Sequence, residues 1–536
     1  MISAKVKIKG YKALSVLTLF LFVSSVSNQI SAQGNKFSYL IEVMKANYVD
    51  SINESALNEA AVKAAVKELD PHSVYMPADE VKEMNEPLVG KFEGIGIQFN
   101  ILNDTIMVAQ TIPGGPSEKL GIMAGDRIVK IDGNNVANVK IKNNDVLKKL
   151  RGDKGTKVNV TIFRRNTKDL LDYTITRDKI PLFSVEAAYM VTPEIGYIKV
   201  DRFAEGTADE FKAALAKLKA KGLKSLVLDL QDNGGGYLNV AVALADVFLN
   251  DHKRIVYTRG RTSTPEDYYA TDGGEFEKGK LAILINEYSA SASEIVTGAI
   301  QDWDRGLVLG VRSFGKGLVQ KAYTLPDGSA VRLTVAKYYT PSGRCIQKPY
   351  EKGDEEDYAM DMTNRYKHGE FSNADSIHIG DTLKYYTNLK RVVYGGGGIV
   401  PDVFVPIDTT MNSPYYRDLL RKGVLNEFTL TYTDNNRKAL LTEYPTIDAF
   451  KNNFKIDTKM TDEFFAFADK HEVHLDSTGY TTSGVLIRTE IKALIARDLW
   501  DSDAFFEVIS DLNHPLTKAI EAIQNNTFEK LKIASK

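Results

Sequence analysis

The sequence predicts a multidomain α/β protein, and three observations carry the prediction. Two buried apolar runs, Ser225 to Leu230 and Leu281 to Ile285, each pass through a short polar or glycine-rich loop into a helical pattern, the repeat expected of parallel strands covered by helices. Between about Pro87 and Asp178 the pattern changes to short alternating segments separated by turn signals, which indicates a small β-rich domain. Both flanks read as helical. At 536 residues, 43% of them hydrophobic, the chain can bury several cores, so a disordered tail, a collagen and a small disulfide scaffold are excluded. Lys and Arg number 68 against 70 Asp and Glu, so no basic excess draws the chain to nucleic acid, and no nucleic-acid partner is expected. The single cysteine, Cys345, makes neither an internal disulfide nor a metal site.

Residues 1–32 have the layout of a secretory signal. Lys5, Lys7, Lys9 and Lys12 precede an apolar run from Ala13 to about Val26, and small and polar residues follow as far as Ser31-Ala32. The run falls short of the roughly 20 residues a spanning helix needs. Cleavage after Ala32 and an exported, periplasmic protein, soluble or membrane-associated, are expected. Residues 33–86 read as an N-terminal helical region: Leu40, Ile41, Met44 and Tyr48 share one face, and Leu57, Ala61, Ala65 and Leu69 share another before Pro71 stops the helix. The segment 87–178, with Gly94-Ile95-Gly96-Ile97-Gln98-Phe99, Gly125-Asp126 and a helical stretch from Asn144 to Leu150, resembles a PDZ domain. That resemblance implies a peptide carboxylate held by backbone amides of Glu93 to Gly96, and a peptide added as a strand beside Ile97 to Phe99. Glycines suit such a loop because amides converge on an anion only where no side chain intrudes. The peptide-binding residues expected are Gly94, Ile95, Gly96, Ile97 and Phe99.

From 179 to 347 the chain reads as an α/β core. Thr207 and Glu210 have capping-box spacing ahead of the face formed by Phe211, Leu215 and Leu218. Gln231-Asp232-Asn233-Gly234-Gly235-Gly236 lacks the Lys-Ser or Lys-Thr of a phosphate loop and the spacing of a dinucleotide loop, which leaves amides presented to an oxyanion. Ser289, Ser291 and Ser293 sit at the next strand-to-helix junction, where helix amides stabilise negative charge. Ser291 also has capping-box spacing to Glu294, and spacing alone does not choose among the three hydroxyls.

A nucleophilic serine needs a base. None of the 7 histidines lies in a catalytic motif, and His471-Glu472-Val473-His474 is one residue short of a zinc helix and reads as a solvated helix face. A lysine serves if it is neutral. Reaching neutrality near pH 7 costs about 4–5 kcal/mol, so the amine must be buried and have no carboxylate partner. Lys316, between Gly315 and Gly317, is the candidate. Gln320 falls on the same side of the chain and can orient an amine without restoring its charge.

The run Ser289 to Glu294, then Gln301-Asp302, Arg305, Phe314 to Gly317 and Val319-Gln320, is similar to the catalytic segment of the carboxyl-terminal processing peptidases, or tail-specific proteases. The likeness continues through Leu333 to Arg344 and Gly398 to Asp402, and upstream through Leu69 to Ser73 and the Asn233 to Gly236 loop. It implies a ClpP/crotonase-like α/β core with the PDZ-like domain inserted after the N-terminal helices. It also implies Ser291 as nucleophile, Lys316 as general base, Gln320 as the residue that positions the lysine, and the amides of Ala292 and Gly235 as oxyanion donors. Gln231 stands where that family commonly has Arg.

The implied activity is a serine endopeptidase acting near the C-terminal tails of proteins by a Ser/Lys dyad, without metal or cofactor. Protein or peptide substrates are the partners expected, with a homo-oligomer or an adaptor left open. A noncatalytic PDZ adaptor and a hydrolase of small esters are the alternatives. Residues 348–398 read as a charged insertion whose four consecutive glycines form a flexible exit, 399–408 as a return to the core, and 409–536 as a helical extension with Phe464, Phe465 and Phe467 available for packing.

Overall fold

The computed structural model describes residues 36–165, 167–352, 355–377 and 383–533. The expected signal segment lies outside them. At the centre is a six-stranded sheet in the order Val185–Met190, β1 (Ile195–Val200), β2 (Ser225–Asp229), β3 (Leu281–Ile285), β4 (Leu307–Gly310) and Val403–Phe404. The first pair is antiparallel and the others are parallel. These strands read as unbroken apolar runs because both faces are covered. Leu226, Leu228 and Ile283 point into a core shared with α1 (Thr207–Ala220), α2 (Leu238–Asp246) and α3 (Ala292–Asp302). Their neighbours Val227, Ala282 and Leu284 face the other way, onto Leu516, Ala519 and Ile523 of the helix His514–Gln524. The far end of the chain therefore covers the back of the sheet.

A second sheet carries β5 (Leu318–Thr324) and β6 (Ala330–Tyr339), with Val74–Met76 from the N-terminal region and Arg254–Arg259 also paired to β6. The turn before Val74 is fixed by Asp70, whose carboxylate accepts from His72 N, Ser73 N, Ser73 Oγ and Thr334 Oγ1.

Lys91–Gly94 pairs antiparallel with Asp178–Pro181, so the chain enters and leaves the β-rich domain through a two-stranded stem. Inside it, a sheet of six described strands packs Ile106, Val108, Ile128, Val160 and Ile175 against Val146 and Leu150 of the helix Asn143–Leu150. The helices Val424–Glu443, Thr458–Lys470 and Ser477–Leu499 form a separate core around Phe428, Phe450, Phe464, Ile487 and Leu494. This helical unit grips the β-rich domain. Asp434, in the first of these helices, pairs with Arg127 at 2.6 Å and Arg165 at 3.1 Å. Gln110 Nε2 donates to the carbonyls of Arg497 and Trp500, and Leu430 packs on Leu102 and Met107.

Three local expectations are corrected. Thr207 and Glu210 do not form a capping box: Thr207 Oγ1 accepts from Ala204 N, and Glu210 accepts the amides of Ser184 and Val185, so both side chains serve tertiary contacts. His471 to His474 do not lie on a helix face, because the helix ends at Lys470 and His471 N closes onto Ala468 O. The glycines 395–398 are not a flexible exit. Gly396 N and Gly398 N donate to Cys345 O and Ile346 O, and a Cβ on Gly398 would meet Ser313 O at 2.7 Å, so the segment is packed backbone to backbone.

Removing one partner from a mostly buried ion pair leaves the other charge stranded. Asp434→Ala is expected to lower stability by about 1–3 kcal/mol, read from the midpoint of chemical denaturation. Arg127→Ala combined with it should cost less than the sum of the two single changes, as in any coupled pair.

Candidate active site

The three serines at the start of α3 are separated by what their hydroxyls already do. Ser289 Oγ donates to Leu230 O and Ser293 Oγ to Asn233 O, and both residues are fully buried. Ser291 is half-buried, lines a cavity of about 580 Å3, and its Oγ donates to no acceptor among the described residues, meeting only the Glu294 amide as the cap of α3. Its backbone sits at φ +55°, ψ −110°, a region that costs a non-glycine residue about 1–3 kcal/mol. A strained serine at a sharp strand-to-helix turn is what exposes a nucleophile above a parallel sheet. Here the turn arises without the Gly-x-Ser-x-Gly pattern that would have announced it.

Lys316 lines the same cavity, as do Gln320 and the three glycines 234–236. Two buried side chains tie its peptide units to those of Ser291. Glu294, 1% exposed, accepts Ser291 N (2.8 Å) and Lys316 N (2.9 Å) on Oε2, and Ser313 Oγ (2.6 Å) and Gly315 N (2.7 Å) on Oε1. Tyr338 Oη donates toward Lys316 O at 2.6 Å and Ser291 O at 3.0 Å. A carboxylate thus holds the amides of nucleophile and lysine while a phenol holds their carbonyls. The spacing of Ser291 and Glu294 suggested only a cap, and that spacing contributes just one of the four bonds. Burial pushes the Glu294 carboxyl up, but the four donors oppose this and leave neither oxygen able to carry a proton without losing a bond.

The lysine is largely buried and its pKa is lowered. Among the described residues no carboxylate lies within ion-pair distance of its Nζ, and burial, with the nearby Arg332 charge, lowers its pKa from the ordinary 10.5 against weaker pulls from Glu294 and Asp70. Described residues after 347 pack on the loop that carries the lysine. Lys348 N donates to Gly315 O, Arg365 Nη1 to Ser313 O, and Tyr358 sits edge-on to Phe314. Tyr358 Oη is also 2.7 Å from His72 Nε2, and burial together with the Lys316 charge lowers the His72 pKa to about 4. A neutral imidazole therefore stands near the amine. Gln320 Nε2 donates to His72 O rather than to the lysine, which leaves its Oε1 as the group able to accept from Nζ. No hydrogen bond joins Ser291 Oγ to Lys316 Nζ in this conformation, and free enzymes often hold such pairs loosely.

The glycine loop reaches the nucleophile closely enough that a Cβ on Gly235, at φ +103°, would stand 2.8 Å from Ser291 Cβ. Lys199 Nζ donates to Gln231 O, and Asn286 clasps Asp232 through both its amide groups, so the loop is anchored without an arginine at 231. Gly235 N, read as an oxyanion donor, donates to Asn233 Oδ1 at 2.9 Å, because that fully buried side chain needs a donor. Ala292 N, Gly234 N and Gly236 N make no such bond among the described residues.

In the β-rich domain, Gly94 ends the stem strand and Gly96 turns at φ +77°. Ile95 is 2% exposed inside the domain core, so it can offer only its backbone. Ile97 and Phe99 lie on the strand Ile97–Leu102, which pairs only with Thr105–Thr111 and so has an open edge among the described strands.

The model of peptidase family S41 matches residues 194–359, a PDZ domain model matches 94–175, and a family of unknown function matches 415–501. A carboxy-terminal-processing protease of Bartonella bacilliformis is 39% identical over 317 residues, covering 58% of this chain and 72% of its own. The chain belongs to peptidase family S41. A probable CtpA-like serine protease of Staphylococcus aureus is 34% identical over 375 residues, covering 70% of this chain and 73% of its own. The solved photosystem II D1 C-terminal processing protease is 25% identical, covering 70% of this chain and 87% of its own at a TM-score of 0.35. This S41 peptidase is a carboxy-terminal-processing serine protease with a PDZ domain.

Glu294→Gln replaces one acceptor oxygen with an NH2 group facing two donors, which pushes the nucleophile loop away from the lysine loop. A displacement of this kind is expected to lower kcat by about 100-fold with the circular dichroism spectrum unchanged. Turnover of a fluorogenic peptide measures it, and wild-type kcat would show that the carboxylate does not hold the site.

Proposed function

We propose that this serine endopeptidase is exported and cleaves near the C-terminal tails of proteins by a Ser/Lys dyad, Ser291 acting as nucleophile and Lys316 as general base. The observation that carries the reading is the lysine itself: desolvated, without an acid partner among the described residues, and tied through Glu294 and Tyr338 to the backbone of Ser291, the one of the three junction serines whose hydroxyl donates to no group. The tail adds to the open edge at Ile97 to Phe99, its carboxylate on the amides of Gly94 to Gly96, and the upstream chain enters the cavity. Ser291 Oγ attacks the peptide carbonyl as neutral Lys316 takes its proton, and Gln320 Oε1 orients the amine. The oxyanion is held by Ala292 N with an amide of the 234–236 loop, Gly235 serving once it leaves Asn233 Oδ1. Lys316 then protonates the leaving amine, and water hydrolyses the acyl-enzyme.

The parallel strand order and helix-covered faces support a ClpP/crotonase-like core. Residues 1–32 support export to the periplasm, and no described helix is long and apolar enough to cross a membrane.

Ser291→Ala and Lys316→Ala should each abolish peptide cleavage while leaving the fold intact, and full residual cleavage in either variant refutes the assignment. A lysine whose pKa is lowered gains its neutral, basic form as pH rises. The acidic limb of kcat/KM should therefore climb with pH, with a midpoint below the 10.5 of an ordinary lysine. A rate independent of pH across that limb would count against Lys316 as the base.

A further inference from the structure

The cavity that contains Ser291 and Lys316 has an unbalanced charge lining. Its lining includes two cations and no Asp or Glu. One cation, Lys316, must shed its charge to act. The other is Arg332, which stays charged at any relevant pH.

Arg332 sits on β6, with its backbone paired to Val74 on one side and Ala322 on the other, so the position of its Cα is set by two neighbouring strands. Its guanidinium makes no ion pair among the described residues. The one side-chain contact recorded for it is Nη2 to Met76 Sδ at 3.8 Å, a weak acceptor. Two other half-buried arginines, Arg312 and Arg391, pair with carboxylates, on Glu370 at 2.7 Å and Asp304 at 2.7 Å. An uncommitted guanidinium in the wall of a cavity without acids is matched by an anionic group on whatever enters, and the planar fork suits a carboxylate.

We propose that Arg332 binds a carboxylate of the substrate inside the catalytic cavity and so selects peptides with an acidic group close to the scissile bond. The proposal rests on the peptidase reading of this cavity. The carboxylate has two sources, an acidic side chain or the terminal group of a short tail, and both present the same two oxygens to the fork. The cost of the arrangement is a positive charge beside the lysine, which works in the reaction's favour because it disfavours a second cation there.

The test is equilibrium binding to the complete chain carrying Ser291→Ala, so that peptide is held without turnover. In one arm the probes are apolar decapeptides with amidated ends, with Asp or Asn placed at each position in turn. In the other arm the same sequence ends in a free carboxylate or a carboxamide. In at least one arm the acid form should bind about tenfold more tightly than its neutral partner, as a charge-assisted hydrogen bond predicts. Adding Arg332→Gln should shrink that gap to less than twofold, and Arg332→Lys, which keeps the charge, should retain part of it. A gap in the first arm identifies an acidic side chain, and a gap in the second that responds to Arg332→Gln identifies the terminal carboxylate. Equal binding of acid and neutral forms in both arms overturns the assignment, as does Arg332→Gln leaving every gap unchanged, any second-arm gap then belonging to the Gly94 to Gly96 amides. If the protease reading alone is at fault, the protein with Ser291 intact leaves every probe uncleaved while the Arg332-dependent gap persists.

Discussion

The peptide units of Ser291 and Lys316 are held as one body. Glu294 takes the amide of each on a single oxygen, and the Tyr338 phenol addresses the carbonyl of each. Because these bonds are to backbone, the relative placement of the Ser291 and Lys316 main chains is fixed, and only their side-chain rotamers are left to set the distance from Oγ to Nζ. The rest of the site follows from it. The nucleophile turn can be kept in a strained conformation only if its surroundings over-determine it, and the two-sided clasp supplies that.

The same arrangement resolves an electrostatic conflict. A buried carboxylate near a lysine would ordinarily form an ion pair with it and keep it protonated. Glu294 is prevented from doing so because both oxygens are already occupied by four donors. Its remaining pull on Lys316 is outweighed by desolvation and by Arg332. Desolvation comes from segments distant in sequence: the turn at His72, the helix carrying Tyr358, and β6. The insertion after residue 347 thus packs on the loop that carries Lys316, and the Asp70 turn links the N-terminal region to Gln320 through one carbonyl.

Much of this was legible in the sequence. Continuous apolar runs at Ser225 and Leu281 marked strands buried on both faces, and the glycine, serine and lysine motifs marked the loops above them. What was not legible depended on partners far away along the chain. Ser291 could not be separated from Ser289 and Ser293 until Leu230 O and Asn233 O were seen to occupy the other two hydroxyls. Thr207 and Glu210 have the spacing of a cap but satisfy Ala204, Ser184 and Val185 instead, because a tertiary donor outcompetes a local one. Gly395 to Gly398 suggested freedom, whereas glycine there permits contact with Ser313. Gly235 was chosen by position, and its amide is engaged by an asparagine two residues earlier. The helical unit matched by 415–501 showed no functional residue in its pattern, yet Asp434 and Leu430 fasten it to the PDZ domain that the peptidase uses.

The central claim is that Lys316 is a poorer proton holder than a lysine in water because it is buried without an acid. It is tested most directly by nuclear magnetic resonance titration of the Lys316 side chain, labelled with 13C at Cε and assigned by its loss in Lys316→Arg, in the folded protein. The account predicts a titration midpoint below 10.5. A midpoint at or above that value would mean a charged, partnered amine and would contradict it.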